Sequence, residues 1–180
     1  MIGRPEPSEA APYYFNYINR VTGDDILHEL QSQLDEALPF LRSISEEKSL
    51  YRYAPEKWSI RQIIAHLADT ELVGAHRFRQ VIAEEKPTLV AYDQNAWTRN
   101  LDYARRQPKN SLESFRRVRA ENYELLKALP EAAFERKGIH SERGPLTLRQ
   151  LLDGFADHAE SHARQMQTIR EDYKKQKGKK

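Results

Sequence analysis

Apolar residues recur along this chain at three- and four-residue intervals, in stretches divided by proline, glycine and clusters of charge. The first stripe is Ile26, Leu27, Leu30, Leu34, Leu38 and Leu41. Asp24 and Asp25 suit its positive N-terminal end, so it predicts a helix over Asp24–Ser45, disturbed at Pro39. Glu46–Lys57 reads as a connection. Ser59-Ile-Arg-Gln62 is a capping box, and Ile60, Ile63, Ile64, Leu67, Phe78 and Ile82 continue it as a helix to about Glu85, before Pro87. A short helix is expected within Asp93–Arg106, then a break at Pro108–Ser111. From Ser111 a stripe runs through Leu112, Phe115, Val118, Tyr123 and Leu126. Ala132–Pro145, with two glycines and a proline, reads as a loop. Thr147-Leu-Arg-Gln150 is a second capping box, opening a helix through Leu151, Leu152, Phe155, Met166 and Ile169. Sustained strand alternation is absent. Four long helices predict an all-α, four-helix bundle, and the long connection Pro87–Ser111 permits topologies other than simple up-and-down.

The two capped segments echo each other. Ser59-Ile-Arg-Gln-Ile-Ile-Ala-His-Leu-Ala-Asp69 parallels Thr147-Leu-Arg-Gln-Leu-Leu-Asp-Gly-Phe-Ala-Asp157. A pseudo-two-fold relation explains this, and so does a shared good N-terminus.

Composition narrows the classes. The chain has 180 residues, enough for one domain with its own core: Met1–Pro12 as a flexible start, residues 13–173 as the bundle, and 174–180 as a basic flexible tail. Net charge is +2, but five lysines lie in Lys174–Lys180, so the remainder carries −3. The positive charge belongs to the tail, which argues against nucleic acid as a partner. Cysteine is absent, which removes disulfides, thiolate metal sites and a cysteine nucleophile. No signal peptide pattern and no membrane-spanning run are present, so a cytoplasmic location is expected.

Six histidines carry the candidate chemistry. His158 and His162 stand one turn apart, and the apolar stripe of their helix centres close to His162 with His158 at its edge. Two imidazoles at the core need partners: one shared cation satisfies both, and so do separate core hydrogen bonds. His66 is the third candidate, on the flank of its own helix stripe at a depth that can meet the other two. His76 falls on a polar face, while His28 and His140 have no partner in the sequence. Glu71 lies inside an apolar stripe; it either orients a ligand imidazole or pairs with an arginine or backbone N–H. Asp69 and Asp157 fall on polar faces, as surface residues or interhelix pairs.

These residues form patterns that resemble a known family. Lys57-Trp-Ser-Ile-Arg-Gln-Ile-Ile-Ala-His-Leu-Ala-Asp-Thr-Glu71 is similar to the first signature of the DinB/YfiT-like metalloenzymes. Thr147-Leu-Arg-Gln150 followed by His158-x-x-x-His162-x-x-Gln165 is similar to the second, and Tyr92-Asp-Gln-Asn-Ala-Trp97 resembles a segment lining the site. The resemblance spans Asp24 to Ile169. It implies an up-down-down-up four-helix bundle with a divalent metal on His66, His158 and His162. Zinc and nickel lead the candidates, followed by iron and cobalt. It implies a hydrolase acting on a small molecule through metal-bound water, or an S-transferase using a low-molecular-weight thiol at the same ion. A non-catalytic bundle that binds a partner is the reading from another class. Tyr92, Asp93, Asn95 and Trp97 are expected to contact substrate, although Trp97 can equally cap the bundle. A homodimer through the bundle faces is expected, and no general base is evident.

Overall fold

Both capping boxes form, and they set the two helices that matter most. The computed structural model describes residues 25–177, without the side chains of 34–38, 40 and 41. The expected flexible start Met1–Pro12 and the last three residues lie outside the described residues. Ser59 Oγ accepts from the Gln62 N–H while Gln62 Oε1 accepts from the Ser59 N–H, which starts the helix Ile60–Ala83. Thr147 and Gln150 exchange the same pair of bonds, at 2.8 and 3.1 Å, ahead of Leu148–Lys177. The helices, in chain order, are α1 (Ile26–Arg42), α2 (Glu46–Ser49), α3 (Ile60–Ala83), α4 (Gln94–Asn100), α5 (Pro108–Lys127) and α6 (Leu148–Lys177).

Contacts along the long helices give their order and direction. Gln33 Nε2 of α1 donates to Ala156 O of α6, and Ile26 and Leu30 share a cluster with Leu148, Leu151 and Leu152, so α1 and α6 run parallel. The start of α3, at Ile60–Leu67, packs with Met166 and Ile169, whereas Gly74 and Phe78 meet Phe155, so α3 runs against α6. Leu112 and Phe115 lie with the start of α3, and Asn122 lies beside Arg79 further on, so α5 runs with α3. The arrangement is up-down-down-up, and α3 and α5 on one side each touch α6 or α1 on the other. No helix is long and apolar enough to cross a membrane among the described residues.

Four expectations are corrected. First, Ala132–Pro145 is not a loop: a 3-10 turn (Glu131–Glu135) leads into strands β2 (Lys137–His140) and β3 (Gly144–Thr147), and β1 (Thr88–Leu89) pairs parallel to β2. β1 has two residues and β3 contains Pro145, too little for alternation to show. Gly138 is needed because a Cβ there would lie 2.8 Å from Leu89 Cδ1. Second, α5 begins at Pro108, not after it, because proline at the first helical position lacks only an N–H that has no helical partner. Third, α6 continues through Lys177, which ion-pairs with Glu47 at 2.7 Å, so the basic segment starts as helix. Fourth, of the two readings of Asp69 and Asp157, surface residue or interhelix pair, the surface one fails, because both are buried.

Candidate metal centre

α3 and α6 cross where each is apolar on its inner face, and that crossing brings three imidazoles together. One ring nitrogen from each of His66, His158 and His162 lies within 4.8 Å of the others. His66 Nε2 and His158 Nε2 are 2.9 Å apart, so one donates and the other accepts. The ring centroids of the three pairs are 4.5 to 5.1 Å apart, all edge to face.

The surroundings favour neutral rings. Burial lowers the His66 pKa to about 3, helped by His162. Burial likewise lowers His158, followed by the two other imidazoles, and lowers His162, which Gln165 partly offsets. A neutral imidazole is the form that binds a metal ion. Gln165 Oε1 lies 2.9 Å from His162 Nδ1, which places the proton there and leaves Nε2 without one. Gln165 sits one turn after His162, and the spacing His-x-x-Gln was its sequence signal. Trp58 was missed: its ring meets His66 edge-on at 5.0 Å and lies nearly parallel to His162 at 6.5 Å, covering the outer side of the cluster. It immediately precedes the capping box, so the α3 start itself delivers it.

Thr70, one turn after His66, links the cluster to the long connection. Its Oγ1 is 3.4 Å from His66 Nδ1 and 2.8 Å from the Tyr92 hydroxyl. Burial raises the Tyr92 pKa, so the phenol is protonated at neutral pH. Tyr92 and Trp97 are in ring contact at 4.4 Å, and both line a cavity of about 540 Å³ along the outer face of α3. Asp93 and Asn95 are not in that lining. The Asp93 carboxylate accepts from the N–H groups of Asn95 and Ala96, at 2.8 and 3.0 Å, and so caps α4; Asn95 is exposed. His76 is exposed, as expected, and sits at the cavity wall.

Glu71 points elsewhere. Its oxygens accept from Arg119 Nη2 at 2.8 Å and Asn122 Nδ2 at 2.9 Å, both on α5. Of its two expected roles, the interhelix ion pair is the one formed. Asp69 likewise accepts from the Tyr103 hydroxyl at 2.8 Å and from Arg106 at 2.7 Å, which anchors the segment after α4 to α3.

Known proteins share this fold. A family model described as "DinB superfamily" matches residues 17–166. The chain is 28% identical over 138 residues, 76% of each chain, to the Bacillus subtilis protein named "Putative metal-dependent hydrolase YfiT". It is 29% identical over 134 residues, 72% of this chain and 76% of the other, to a Bacillus licheniformis protein whose name also reads metal-dependent hydrolase. The solved structure of YfiT, described with "an unusual four-helix bundle topology", superposes with a TM-score of 0.72 over 93% of both chains at 24% identity.

Proposed function

From its place in the DinB superfamily, to which this chain belongs, we propose that the protein is a metal-dependent hydrolase of a small molecule, with the ion on His66, His158 and His162. The observation that carries the reading is the convergence of three imidazoles, one of them bonded through Nδ1 to Gln165 so that its Nε2 is free of that bond. The donor set suits a divalent transition ion, zinc or nickel first, and three protein ligands leave a coordination position open, as catalytic sites do. When bound, such an ion acts as a Lewis acid and brings the pKa of water down to about 7.

The chain's own residues supply the rest. Gln165 holds the His162 proton on Nδ1, and Trp58 keeps water from the outer side of the rings. The Tyr92 hydroxyl, protonated and held by Thr70, is a donor placed beside the cluster for an oxygen that gains charge during bond cleavage. The Tyr92–Trp97 pair offers a flat apolar wall to the substrate body.

Elemental analysis of the purified protein tests the site first: the wild type and His76→Ala should hold one equivalent of a transition metal and His162→Ala should hold none. Equal content in the two variants overturns the assignment. A screen of esters and amides against thiol-plus-electrophile pairs then reads the chemistry. Turnover only with an added low-molecular-weight thiol would make the enzyme an S-transferase on the same ligands.

A further inference from the structure

The cavity along α3 that Tyr92 and Trp97 wall contains a positive charge that no carboxylate of its lining pairs with. Arg77 is 9% exposed and lines the cavity with Asp69, Val73, Val90, Tyr92 and Trp97. Its Nη2 donates to Val90 O at 2.8 Å, which fixes the guanidinium against the β1 connection. It forms no ion pair among the described residues. The one carboxylate in the cavity wall, Asp69, is already matched by Arg106 at 2.7 Å. Burial lowers the Arg77 pKa; Tyr92 and Glu142 act on it in the opposite sense and Arg143 in the same one. A guanidinium this buried, with one hydrogen bond among the described residues, has donors left for an incoming acceptor.

Its position along α3 gives the ligand a direction. His66, Thr70, Val73 and Arg77 fall on one stripe, because eleven residues is three turns plus about 20°. At 1.5 Å per residue, Arg77 stands roughly 16 Å along the helix from His66. Tyr92 and Thr70 lie between the two, and Tyr92 with Trp97 walls the space. Leu72 and Val90, 49% and 70% exposed, add apolar surface at the mouth. One uncancelled positive charge and an apolar aromatic wall suit a monocarboxylate with an aromatic or alkyl body rather than a dianion such as phosphate.

We infer that Arg77 binds the carboxylate of the substrate, which is a small arylalkyl or alkyl monocarboxylic acid derivative lying along α3 with its cleavable group toward His66. This rests on the hydrolase reading for the cleavable group, but the carboxylate site itself does not need the ion.

Binding is measured on metal-free protein, so that no carboxylate can ligate an ion. Titration calorimetry with benzoate, phenylacetate, 3-phenylpropionate and 4-phenylbutyrate, each beside its primary amide, gives a carboxylate-to-amide affinity ratio. The expected ratio for the best-fitting member is about 10- to 100-fold in favour of the carboxylate, the range of a charge-assisted hydrogen-bonded pair. Arg77→Gln keeps a donor for Val90 O and should bring the ratio to about one, while Arg77→Lys should retain part of it. A ratio cancels any general damage to the cavity, because damage weakens acid and amide alike. A ratio near one in the wild type, or an unchanged ratio in Arg77→Gln, overturns the inference. If carboxylates bind as expected in a protein that takes up no metal, the hydrolase reading fails and the Arg77 site stands.

Discussion

Substituting Glu71 separates a carboxylate that joins two helices from one that tunes an imidazole. The Glu71 and Arg119 side chains are 3% and 2% exposed and meet at 2.8 Å, with Asn122 taking the other Glu71 oxygen. Glu71→Ala would leave the Arg119 guanidinium in place with Gln33 Oε1 at 3.3 Å and the Phe115 ring at 5.0 Å as its remaining partners. An uncompensated buried charge of this kind costs about 3–5 kcal/mol. For a domain of this size each kcal/mol lowers Tm by roughly 2–4 °C, so the melting point should fall by about 6–20 °C. Replacing both partners by methionine removes the stranded charge as well and should return stability to within about 1 kcal/mol of wild type. Urea unfolding of the metal-free proteins followed by far-UV circular dichroism measures all three. Metal affinity, titrated separately in Glu71→Gln, should stay within about threefold of wild type, since the carboxylate bonds to α5 and not to a ring. The reasoning is refuted if Glu71→Ala unfolds within about 0.5 kcal/mol of wild type. It is refuted equally if Glu71→Gln weakens metal binding by the 10- to 100-fold typical of a residue behind a ligand.

Gln165→Leu should weaken metal binding by about 10- to 100-fold with little loss of stability, because the His162 tautomer is then no longer held; competition with a chromogenic chelator reads this directly. The metal-free protein should lose stability as pH falls from 7.5 to 5.5. His66 binds its proton only near pH 3, whereas the unfolded chain takes one up near 6.5, so below 6.5 the unfolded state gains about 1.4 kcal/mol per pH unit from this group alone. The carboxylates whose pKa values are lowered, such as Glu113, act only in a more acid range, so a urea midpoint that stays flat between pH 7.5 and 5.5 would contradict burial of neutral histidines. Gly74→Ala should cost about 1–3 kcal/mol, since the added methyl would sit 2.6 Å from the Phe155 ring of α6; an unchanged thermal midpoint would show that Phe155 moves aside freely.

How far the sequence reaches depends on how local each feature is. Capping boxes at Ser59 and Thr147 are settled within four residues, and the 3.6-residue stripes within a few turns, so the long helices could be placed from the residues alone. The three histidines were legible for a related reason: each sits at or beside an apolar stripe, and a core-facing imidazole needs a partner. Direction and order of the helices depended on the resemblance, since no local pattern states that α3 runs with α5 and against α6. The β1–β2 pairing was invisible because β1 has two residues and its bonds, such as Ile139 N–H to Pro87 O, join positions about fifty residues apart, and the local β2–β3 hairpin was masked by strands of four residues with Pro145 in one of them. Polar faces misled for Asp69, whose burial depends on Tyr103 and Arg106 arriving from a later segment. That Asp93 caps α4 and Asn95 is exposed follows from where α4 begins, which residue types alone do not show. Only tertiary packing shows that Glu71 is matched by Arg119 and Asn122 whereas Arg77, among the described residues, bonds to Val90 O alone: a buried charge is neutral in effect or available to a ligand according to what the other helices bring to it.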